Sequence, residues 1–389
     1  MVELLARLAE LESPTRDPAA QRPVLDLLAT QLAATGMATL RLAGRRTGGH
    51  LFARPAGPRH GAGDGVRRPR PFQLLLGHCD TVWAHGTLDT MPVRREAERL
   101  HGPGVFDMKG GLVQLVYALR TLADLRLAPA VAPVVFINSD EEQGSPESWR
   151  HIERLARRAA RALVLEPALG LDGKLKTARK GVGHFVVRVV GRSAHGGLEP
   201  EAGASAIFEL SHVVQRLYEL AEPAAGVTVN VGEIAGGTAA NVVAAESHAV
   251  VDVRVPTRED ARRIEAAIRG LSATTPGTRL EIDGRVGRPP MERTSRNRAL
   301  WRAARRVADE LGLEIDEGTS GGGSDGNITS QHTATLDGLG PVGDGAHAAH
   351  EFVRLDSMPE RTALLALLLL EPETTAQPDE DRDEDQDAP

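Results

Sequence analysis

The chain has a single cysteine, Cys79, so internal disulfides cannot stabilise it. Its first residues, MVELLARLAELESP, contain acidic side chains where a secretory signal would need an uninterrupted apolar stretch. Long apolar runs are also missing, because none reaches the length of about 20 residues that spans a bilayer. These absences argue against a disulfide-rich secreted protein and predict a cytoplasmic protein that does not enter a membrane.

The chain also lacks an excess of basic residues. Its formal net charge is −7, and residues 379–387 carry seven acids and one arginine, which leaves the rest of the chain close to neutral. Nucleic-acid binding requires a basic face, so we expect no nucleic-acid partner. An acidic block of this kind is typical of a disordered, solubilising tail, which we place at 374–389.

The pattern of apolar residues predicts the fold class. From residue 72, apolar strands alternate with helical stretches: FQLLLG, LVQLVYALRTLADL, APVVFIN, PESWRHIERLARRAA and RALVLE. Such alternation predicts an α/β fold with a mostly parallel, helix-covered sheet. Two helices at 2–12 and 20–36 precede this series, and the segment 54–71, rich in Pro, Gly and Arg, is predicted to be an exposed loop.

After Glu166 the pattern changes to strands of alternating character and helices, before the βα alternation returns at 296–316. We therefore predict a separate α+β unit that is inserted into the first domain. The chain is long enough, at 389 residues, for this arrangement. The predicted domains are a first domain built from 1–177 and 291–373, an inserted domain at 178–290, and the acidic tail.

Five side chains that commonly bind metals follow apolar runs of the first domain. They are His78 in LLLGHCDTVW, Asp107 in GPGVFDMKGG, Glu142 in INSDEEQGS, Glu166 in LVLEP and His347 in GDGAH. In open α/β sheets, ligand sites gather beyond the carboxyl ends of the strands. Two imidazoles and three carboxylates suit zinc, cobalt or manganese, and they can hold two cations if one carboxylate bridges them. This set predicts a paired-metal hydrolase.

Two further carboxylates fit that prediction. Asp80 lies two residues after His78, so on an extended segment it can orient the imidazole while Cys79 faces the other side. Glu141 precedes Glu142, and because adjacent side chains diverge, one can bind metal while the other transfers a proton from water to the leaving nitrogen. Taken alone, each motif also has an ordinary explanation, such as a solvated turn for the glutamate pair or a helix N-cap for the aspartate of DMKGG.

Six short motifs, in this order, resemble the M20 family of metallopeptidases, which includes glutamate carboxypeptidases, aminoacylases and acetylornithine deacetylases. The motifs are GHCDTV, GPGVFDMKGG, DEEQGS, LEP, GRSAH and HxxxE. The resemblance covers the whole chain except the acidic tail, and it implies Glu141 as the general base and a cis peptide between Asp107 and Met108. It further implies two zinc ions bridged by Asp107, one completed by His78 and Glu166 and the other by Glu142 and His347.

By the same resemblance, the inserted unit corresponds to a lid and dimerisation domain. Its His195, in GRSAHGG, is implied to reach the partner subunit's site in a homodimer and to stabilise the tetrahedral oxyanion. Glu166 stands where some aminopeptidase relatives carry aspartate, so the resemblance implies hydrolysis of a peptide or N-acyl amide bond next to a free carboxylate. An arginine can grip such a carboxylate through two parallel hydrogen bonds. The implied substrate contacts are Asn241, Arg254, Arg288, Gly322 and Gly323.

Two other functions stay open at this point. The segment GGSDG satisfies the G-x-S-x-G pattern of serine hydrolases, with Ser324 as nucleophile. That motif needs a strand directly before it and a helix directly after it, whereas GTSGG is typical of a loop and NITSQH is a poor helix start. The second alternative is a binding homologue without turnover, against which the presence of Glu141 argues. The last ligand is also open between His347 and His350, with the HxxxE spacing favouring His347.

Overall fold

The computed structural model describes residues 1–57 and 71–373. The predicted tail at 374–389 and most of the predicted loop at 54–71 lie outside the described residues. Nine α-helices lie in the described part of the chain: α1 (Val2–Glu10), α2 (Pro18–Ala33), α3 (Gly110–Asp124), α4 (Trp149–Ala156), α5 (Ala206–Tyr218), α6 (Arg258–Arg269), α7 (Ser295–Leu311), α8 (Gly326–Thr329) and α9 (Ser357–Leu370).

The strands within the same described ranges are β1 (Met37–Leu42), β2 (His50–Pro55), β3 (Phe72–His78), β4 (Arg94–Glu96), β5 (Arg99–His101), β6 (Ala132–Asn138), β7 (Ala159–Val164), β8 (Leu175–Arg179), β9 (Gly181–Val190), β10 (Thr228–Gly236), β11 (Glu246–Val255), β12 (Arg279–Arg288), β13 (Glu317–Ser320), β14 (Ala334–Leu336), β15 (Gly343–Asp344) and β16 (Phe352–Arg354). None of the described helices is both long and apolar enough to cross a membrane.

The described residues divide into two compact units. One consists of 1–177, 293–318 and the residues from 324 onward, and the other consists of 178–292 and 319–323. Each unit has its own hydrophobic core.

A six-stranded sheet lies at the centre of the first unit. Its strand order is β1-β2-β6-β3-β7-β14, and all of these strands except β2 run in the same direction. Leu75 of β3 packs among residues of α1, α2, α3, α7 and α9, while Leu74 and Leu76 pack on the other face with Ile152 and Ile328. The run FQLLLG is therefore buried on both faces, which confirms the predicted helix-covered, mostly parallel sheet.

Local sequence signals explain where two of the helices begin and end. The Asp17 side chain accepts hydrogen bonds from the first backbone N–H groups of α2, and Pro18 occupies the first helical position. In α7, the Thr294 hydroxyl accepts the N–H of Asn297, and Gly312 ends the helix with a φ of 68° that favours glycine. These caps place α2 slightly earlier than the predicted 20–36.

The segment GTSGG, predicted to be a loop, is partly a strand. Residues Glu317–Ser320 form β13, which pairs with β8, and the short helix α8 begins at Gly326. The prediction was wrong because β13 gains its hydrogen bonds from a partner strand distant in sequence, which the local composition does not indicate.

The second unit contains a four-stranded antiparallel sheet with the order β10-β11-β9-β12. Along β9, Phe185, Val187 and Val189 are buried against α5 and α6, while His184 and Arg188 are exposed. This alternation is what an antiparallel sheet covered on one face requires. The predicted α+β character of this segment is therefore confirmed.

The parallel strands bring three chain segments to one edge of the central sheet. In β3 and β6, His78 pairs with Asn138, and in β3 and β7, Leu76 pairs with Val164. Because β6, β3 and β7 are adjacent and parallel, their carboxyl ends lie side by side. The residues that follow these strands therefore meet beyond that edge.

One buried carboxylate links two parts of the second unit. Glu209 of α5 accepts hydrogen bonds from the backbone N–H groups of Thr274 and Thr275, from the Thr274 hydroxyl, and from Arg216 at 3.0 Å. Its side chain has no solvent exposure. Burial alone would raise the pKa of Glu209, but the hydrogen bonds from Thr275 and Thr274 outweigh it and lower the pKa below its usual value.

We predict that Glu209→Gln lowers the free energy of unfolding by about 1–3 kcal/mol at pH 7, because the amide cannot accept all of these hydrogen bonds. The folded-state pKa is depressed, so this difference should persist above the ordinary carboxyl pKa of about 4.3 and shrink as the pH falls below it. Urea denaturation at several pH values measures both effects. The exposed Glu219→Gln is the matched control; an equal loss in both variants would contradict the role of Glu209.

Candidate metal centre

Two groups of possible metal ligands share one carboxylate. The ligand atoms of His78, Asp107 and Glu166 lie within 4.8 Å of one another, and so do those of Asp107, Glu142 and His347. Nε2 of His78 lies 3.4 Å from Oδ1 of Asp107 and 3.4 Å from Oε1 of Glu166. Nε2 of His347 lies 3.5 Å from Oδ2 of Asp107 and 3.2 Å from Oε2 of Glu142. The two oxygens of Asp107 therefore face different groups.

Three of these residues follow the central parallel strands. His78 is the last residue of β3, Glu166 comes just after β7, and Glu142 lies in the single helical turn Glu141–Gln143 that follows β6. The other two come from loops. Asp107 lies in the turn Val105–Lys109 before α3, and His347 lies between β15 and β16 with a φ of 62°.

Asp107 does not cap a helix, although its place before DMKGG allowed that interpretation. Its backbone is extended, with φ −112° and ψ 99°, and α3 begins after Lys109. The peptide bond between Asp107 and Met108 is cis, which confirms the expectation drawn from the family resemblance. The carboxylate is therefore available to the two imidazoles rather than to the helix.

The contacts of His78 determine which ring nitrogen faces Asp107 and Glu166. Nδ1 lies 3.0 Å from the backbone oxygen of Asp80 and 3.5 Å from its Oδ1. Because a carbonyl oxygen can only accept, Nδ1 carries a hydrogen, and the Nε2 position faces Asp107 and Glu166. A lone pair at Nε2 would be repelled by two carboxylates, so this position requires a proton or a metal cation.

Asp80 also organises its surroundings. Its carboxylate accepts the hydroxyl of Thr15 at 2.9 Å and the backbone N–H groups of Glu141 and Glu142 at 3.3 Å each. The role of the Asp80 carboxylate in orienting His78 stays a prediction, because the backbone oxygen of Asp80 lies closer to Nδ1 than its carboxylate does. The contact with Thr15 was not predicted, because the SPTRDP segment carries only the signals of a turn.

The pKa values of the two imidazoles are raised by the carboxylates around them. Burial lowers the pKa of His78, but neighbouring Asp107, Asp80 and Glu166 outweigh it and raise the pKa well above its usual value. Interactions with Asp107 and Glu142 raise the pKa of His347 to about 10. Burial raises the pKa of the Glu142 carboxyl. Protonated imidazoles therefore balance part of the negative charge when no metal is present.

The donor set fits a pair of divalent cations. Oδ1 of Asp107 and Oε1 of Glu142 are buried and have no hydrogen-bond partner. A buried carboxylate oxygen without a partner is costly unless a cation neutralises it. Two imidazoles and three carboxylates, with one carboxylate shared, match the ligand chemistry of zinc, cobalt and manganese. The residues present are thus suited to hold two metal ions.

Glu351 holds the loop that carries Asp107, a role that the sequence did not reveal beyond the HxxxE spacing. Its Oε1 accepts the backbone N–H groups of Phe106 and Asp107, and its Oε2 accepts those of Gly104 and the Trp83 indole, at 2.9 to 3.0 Å. Burial raises the pKa of Glu351 to about 7. Because Glu351 follows His347 closely in sequence, it joins the loops of two candidate ligands.

Other candidate residues of the first unit lie outside the two groups. His350 is exposed and belongs to neither group, whereas His347 belongs to one of them. Ser324 is fully buried, and its hydroxyl donates to Oδ2 of Asp337 at 2.6 Å. Although β13 precedes GGSDG and the short helix α8 follows it, a buried hydroxyl that is bound to Asp337 is not exposed for attack, so the serine-hydrolase alternative is not supported. Cys79 is also fully buried, and burial raises the pKa of its thiol well above the usual value, so it is not suited to act as a nucleophile.

The predicted lid residues belong to the second unit. His195 is exposed, and its Nδ1 accepts the backbone N–H groups of Gly197 and Leu198 at 3.1 and 3.2 Å. The backbone oxygen of Asn241 accepts the N–H of Gly196 at 2.8 Å, so Asn241 lies beside the histidine loop. Their roles in catalysis stay predictions.

The predicted carboxylate-binding residues have different environments. Arg254 makes two hydrogen bonds to Asp252, at 2.8 and 3.0 Å. Arg288 ends β12 and is buried. The backbone oxygen of Gly322 accepts a hydrogen bond from Arg179 at 3.1 Å. The guanidinium of Arg254 is therefore already occupied by a carboxylate of its own chain.

We predict that Glu351→Gln weakens metal binding by about 10-fold or more, because its amide group would meet backbone donors and loosen the loop that carries Asp107. Competition with a fluorescent chelator measures the affinity. Glu310→Gln, at an exposed position of α7, serves as the control. Unchanged affinity in a folded Glu351→Gln protein would show that the loop keeps its position without this carboxylate.

Comparison with known proteins agrees with the geometry. Carboxypeptidase G2 from Pseudomonas sp. (strain RS-16) is 29% identical over 306 residues, covering 77% of this chain and 73% of that protein. A succinyl-diaminopimelate desuccinylase from Stenotrophomonas maltophilia (strain R551-3) is 29% identical over 309 residues, covering 74% of this chain and 80% of that protein. The solved structure of aminopeptidase PepT from Bacillus cereus ATCC 10987 has the same fold, with a TM-score of 0.76 and 19% identity over 95% of this chain and 98% of that chain.

The family match covers most of the chain. Residues 74–371 match the model of peptidase family M20/M25/M40. This range includes all five candidate ligands, Glu141 and the whole second unit. The chain therefore belongs to peptidase family M20/M25/M40 and is a hydrolase.

Proposed function

We propose that this protein is a dinuclear zinc-dependent hydrolase that cleaves a peptide or N-acyl amide bond next to a free carboxylate. The observation that carries the proposal is the position of Asp107, whose two oxygens face separate groups of imidazole and carboxylate ligands. His78 and Glu166 would complete one metal site, and Glu142 and His347 would complete the other. Cobalt and manganese suit the same ligands, and zinc is the proposed native metal.

When bound to these residues, a pair of divalent cations supplies Lewis acidity that activates a water molecule and polarises the scissile carbonyl. The protein itself must then transfer protons, stabilise the oxyanion and orient the substrate. Each of these tasks can be assigned to particular residues.

Glu141 is the proposed general base. Within the described residues it belongs to neither ligand group, although it neighbours Glu142, whose carboxylate faces His347. Its backbone N–H donates to Asp80, which also contacts His78, so the turn of Glu141 is fixed relative to a metal ligand. Glu141 would take a proton from the attacking water as the C–O bond forms and would deliver it to the nitrogen as the C–N bond breaks.

His195 is the proposed oxyanion donor. Its Nδ1 accepts two backbone N–H groups, so the neutral imidazole carries its hydrogen on Nε2. An N–H group directed at the developing negative charge is what transition-state stabilisation requires. We propose that it acts in the active site of the partner subunit of a homodimer, with the second unit as lid and dimerisation domain and with Asn241 beside it at the substrate.

The proposed specificity for a free carboxylate rests on Arg288, Gly322 and Gly323. Arg254 is a weaker candidate, because a substrate carboxylate would have to compete with Asp252 for its guanidinium. The two curated relatives described above, a carboxypeptidase and a desuccinylase, support the same class of substrate. The proposal includes both a carboxypeptidase and an N-acyl amino acid amidohydrolase.

To test the function, N-acyl amino acids and dipeptides ending in glutamate are compared as free acids and as carboxyl-terminal amides. We predict that the free acids are hydrolysed about 100-fold faster or more, because an amide cannot form the charged, paired hydrogen bonds that a carboxylate forms with a guanidinium. Chelation should abolish the activity, and zinc, cobalt or manganese should restore it. Release of the free amine is measured by chromatography. Activity that survives chelation, or equal rates on acids and amides, would contradict the proposal.

The proposed cross-subunit role of His195 can be tested by mixing two inactive variants. Glu141→Ala should keep its metal and lose activity by about 100-fold or more, and His195→Ala should also fold and turn over poorly. Equal amounts, denatured and refolded together, should regain about a quarter of wild-type activity, because half the dimers then contain one complete site. If refolded mixtures stay as inactive as the parents, His195 does not serve the partner subunit.

A further inference from the structure

The turn that carries Glu141 and Glu142 is tied at both ends to one buried carboxylate. Asn138, the last residue of β6, donates its side-chain amide to Oδ2 of Asp325 at 2.7 Å. Ser145, which follows the turn, donates its hydroxyl to Oδ1 of the same residue. Asn138 and Ser145 have no solvent exposure, and Asp325 is 2% exposed. One side chain thus fixes the distance between the two ends of the turn.

The second tie acts on a residue with an unfavourable backbone conformation. Ser145 has a φ of 61°, in the left-handed region that residues other than Gly and Asn rarely adopt. Gly144 before it has a φ of 86°, where glycine is tolerated without strain. A strained conformation persists only when its surroundings fix it. The hydrogen bond to Asp325 provides such a constraint on Ser145.

Other contacts also hold this stretch: the Ser139 hydroxyl donates to the backbone oxygen of Gly49 at 2.7 Å, and the Gln21 amide donates to the backbone oxygen of Ser139 at 3.0 Å. The backbone N–H groups of Glu141 and Glu142 reach Asp80 at 3.3 Å, which is longer than a typical hydrogen bond. The N–H of Ser145 donates to the backbone oxygen of Asp140 at 2.8 Å, a contact that closes the turn without anchoring it. The two hydrogen bonds to Asp325 differ from these contacts because they join both ends of the turn to a single buried side chain.

We propose that Asp325 is a positioning residue for the general base and for one metal ligand. By holding Asn138 and Ser145, it sets the direction in which the side chains of Glu141 and Glu142 project from the turn. This inference rests on the proposed function for the role of Glu141. The role of Glu142 as a ligand gives it a second readout, metal affinity, that does not depend on turnover.

The first test is Asp325→Asn, which keeps the size of the side chain. An amide offers one acceptor oxygen in place of two, so it cannot accept from both Asn138 and Ser145, and the hydrogen bonds that it does form lack the charge of the carboxylate. We expect kcat to fall by about 10- to 100-fold with KM changed less than about twofold, because small displacements of catalytic groups have effects of this size. In cobalt titrations, one of two binding steps should weaken by about 10-fold.

The second test is a rescue. Adding Asn138→Asp to Asp325→Asn exchanges the amide and the carboxylate and restores both the hydrogen bond and the net charge. We expect the double variant to recover most of the lost kcat and cobalt affinity. If Asp325 contributed only to the overall stability of the fold, the second substitution would not restore kcat in this way.

Asp337→Asn is the matched control. Asp337 is also a buried carboxylate and accepts hydrogen bonds from Ser324 and from the backbone N–H of Gly338. We expect this variant to lose thermal stability and to keep kcat and cobalt affinity within about twofold of the wild type. If Asp325→Asn does not fold, Ser145→Ala removes one of the two ties and provides the same measurements.

Several results would overturn the proposal. The first is wild-type kcat and cobalt affinity in the Asp325→Asn protein, or in Ser145→Ala if that variant replaces it. The second is a double variant that recovers neither kcat nor cobalt affinity. The third is a loss of kcat in Asp337→Asn equal to that in Asp325→Asn. Failure of the proposed function would look different. In that case the wild-type protein would hydrolyse no free-carboxylate substrate, and the cobalt titrations would still decide whether Asp325 positions Glu142.

Discussion

The negative charge of Asp107 must be neutralised, and this requirement determines how the candidate metal site of the first unit is arranged. Asp107 faces an imidazole through each of its two oxygens, and Glu142 and Glu166 lie in the same two groups. Carboxylates gathered in a buried position repel each other and lose hydration, so the arrangement is stable only with compensating positive charge. The same crowding of carboxylates raises the pKa values of His78 and His347. Divalent cations would supply the necessary positive charge without protons, so the arrangement suits metal ions.

Around these ligands lies a layer of carboxylates that act as hydrogen-bond acceptors. Glu351 accepts backbone N–H groups from the loop of Asp107, Asp80 accepts those of the glutamate turn, and Asp325 accepts the amide and hydroxyl at the two ends of that turn. Each of them fixes a loop that the parallel strands alone would leave adjustable. Loops that are held by such hydrogen bonds can position catalytic groups as accurately as a rigid strand does.

Much of this arrangement could be predicted from the sequence. Ligand-type residues directly after apolar runs indicated the site, because parallel strands end at a common edge of the sheet. The resemblance carried by the order of the motifs implied how the five candidate ligands divide into two groups. The contacts that hold the ligands in place could not be predicted. Thr15 and Asp80 are 65 residues apart, and β13 gains its partner from β8, so neither follows from local composition or periodicity.

The ligands also come from widely separated positions in the chain. Four of them lie between His78 and Glu166, whereas His347 follows the whole second unit. A ribosome therefore finishes the inserted segment before the last ligand leaves the exit tunnel, and the nascent chain can assemble one ligand group at most until then. If these residues bind two metal ions, the second ion can be held only after the inserted segment and His347 have both been synthesised.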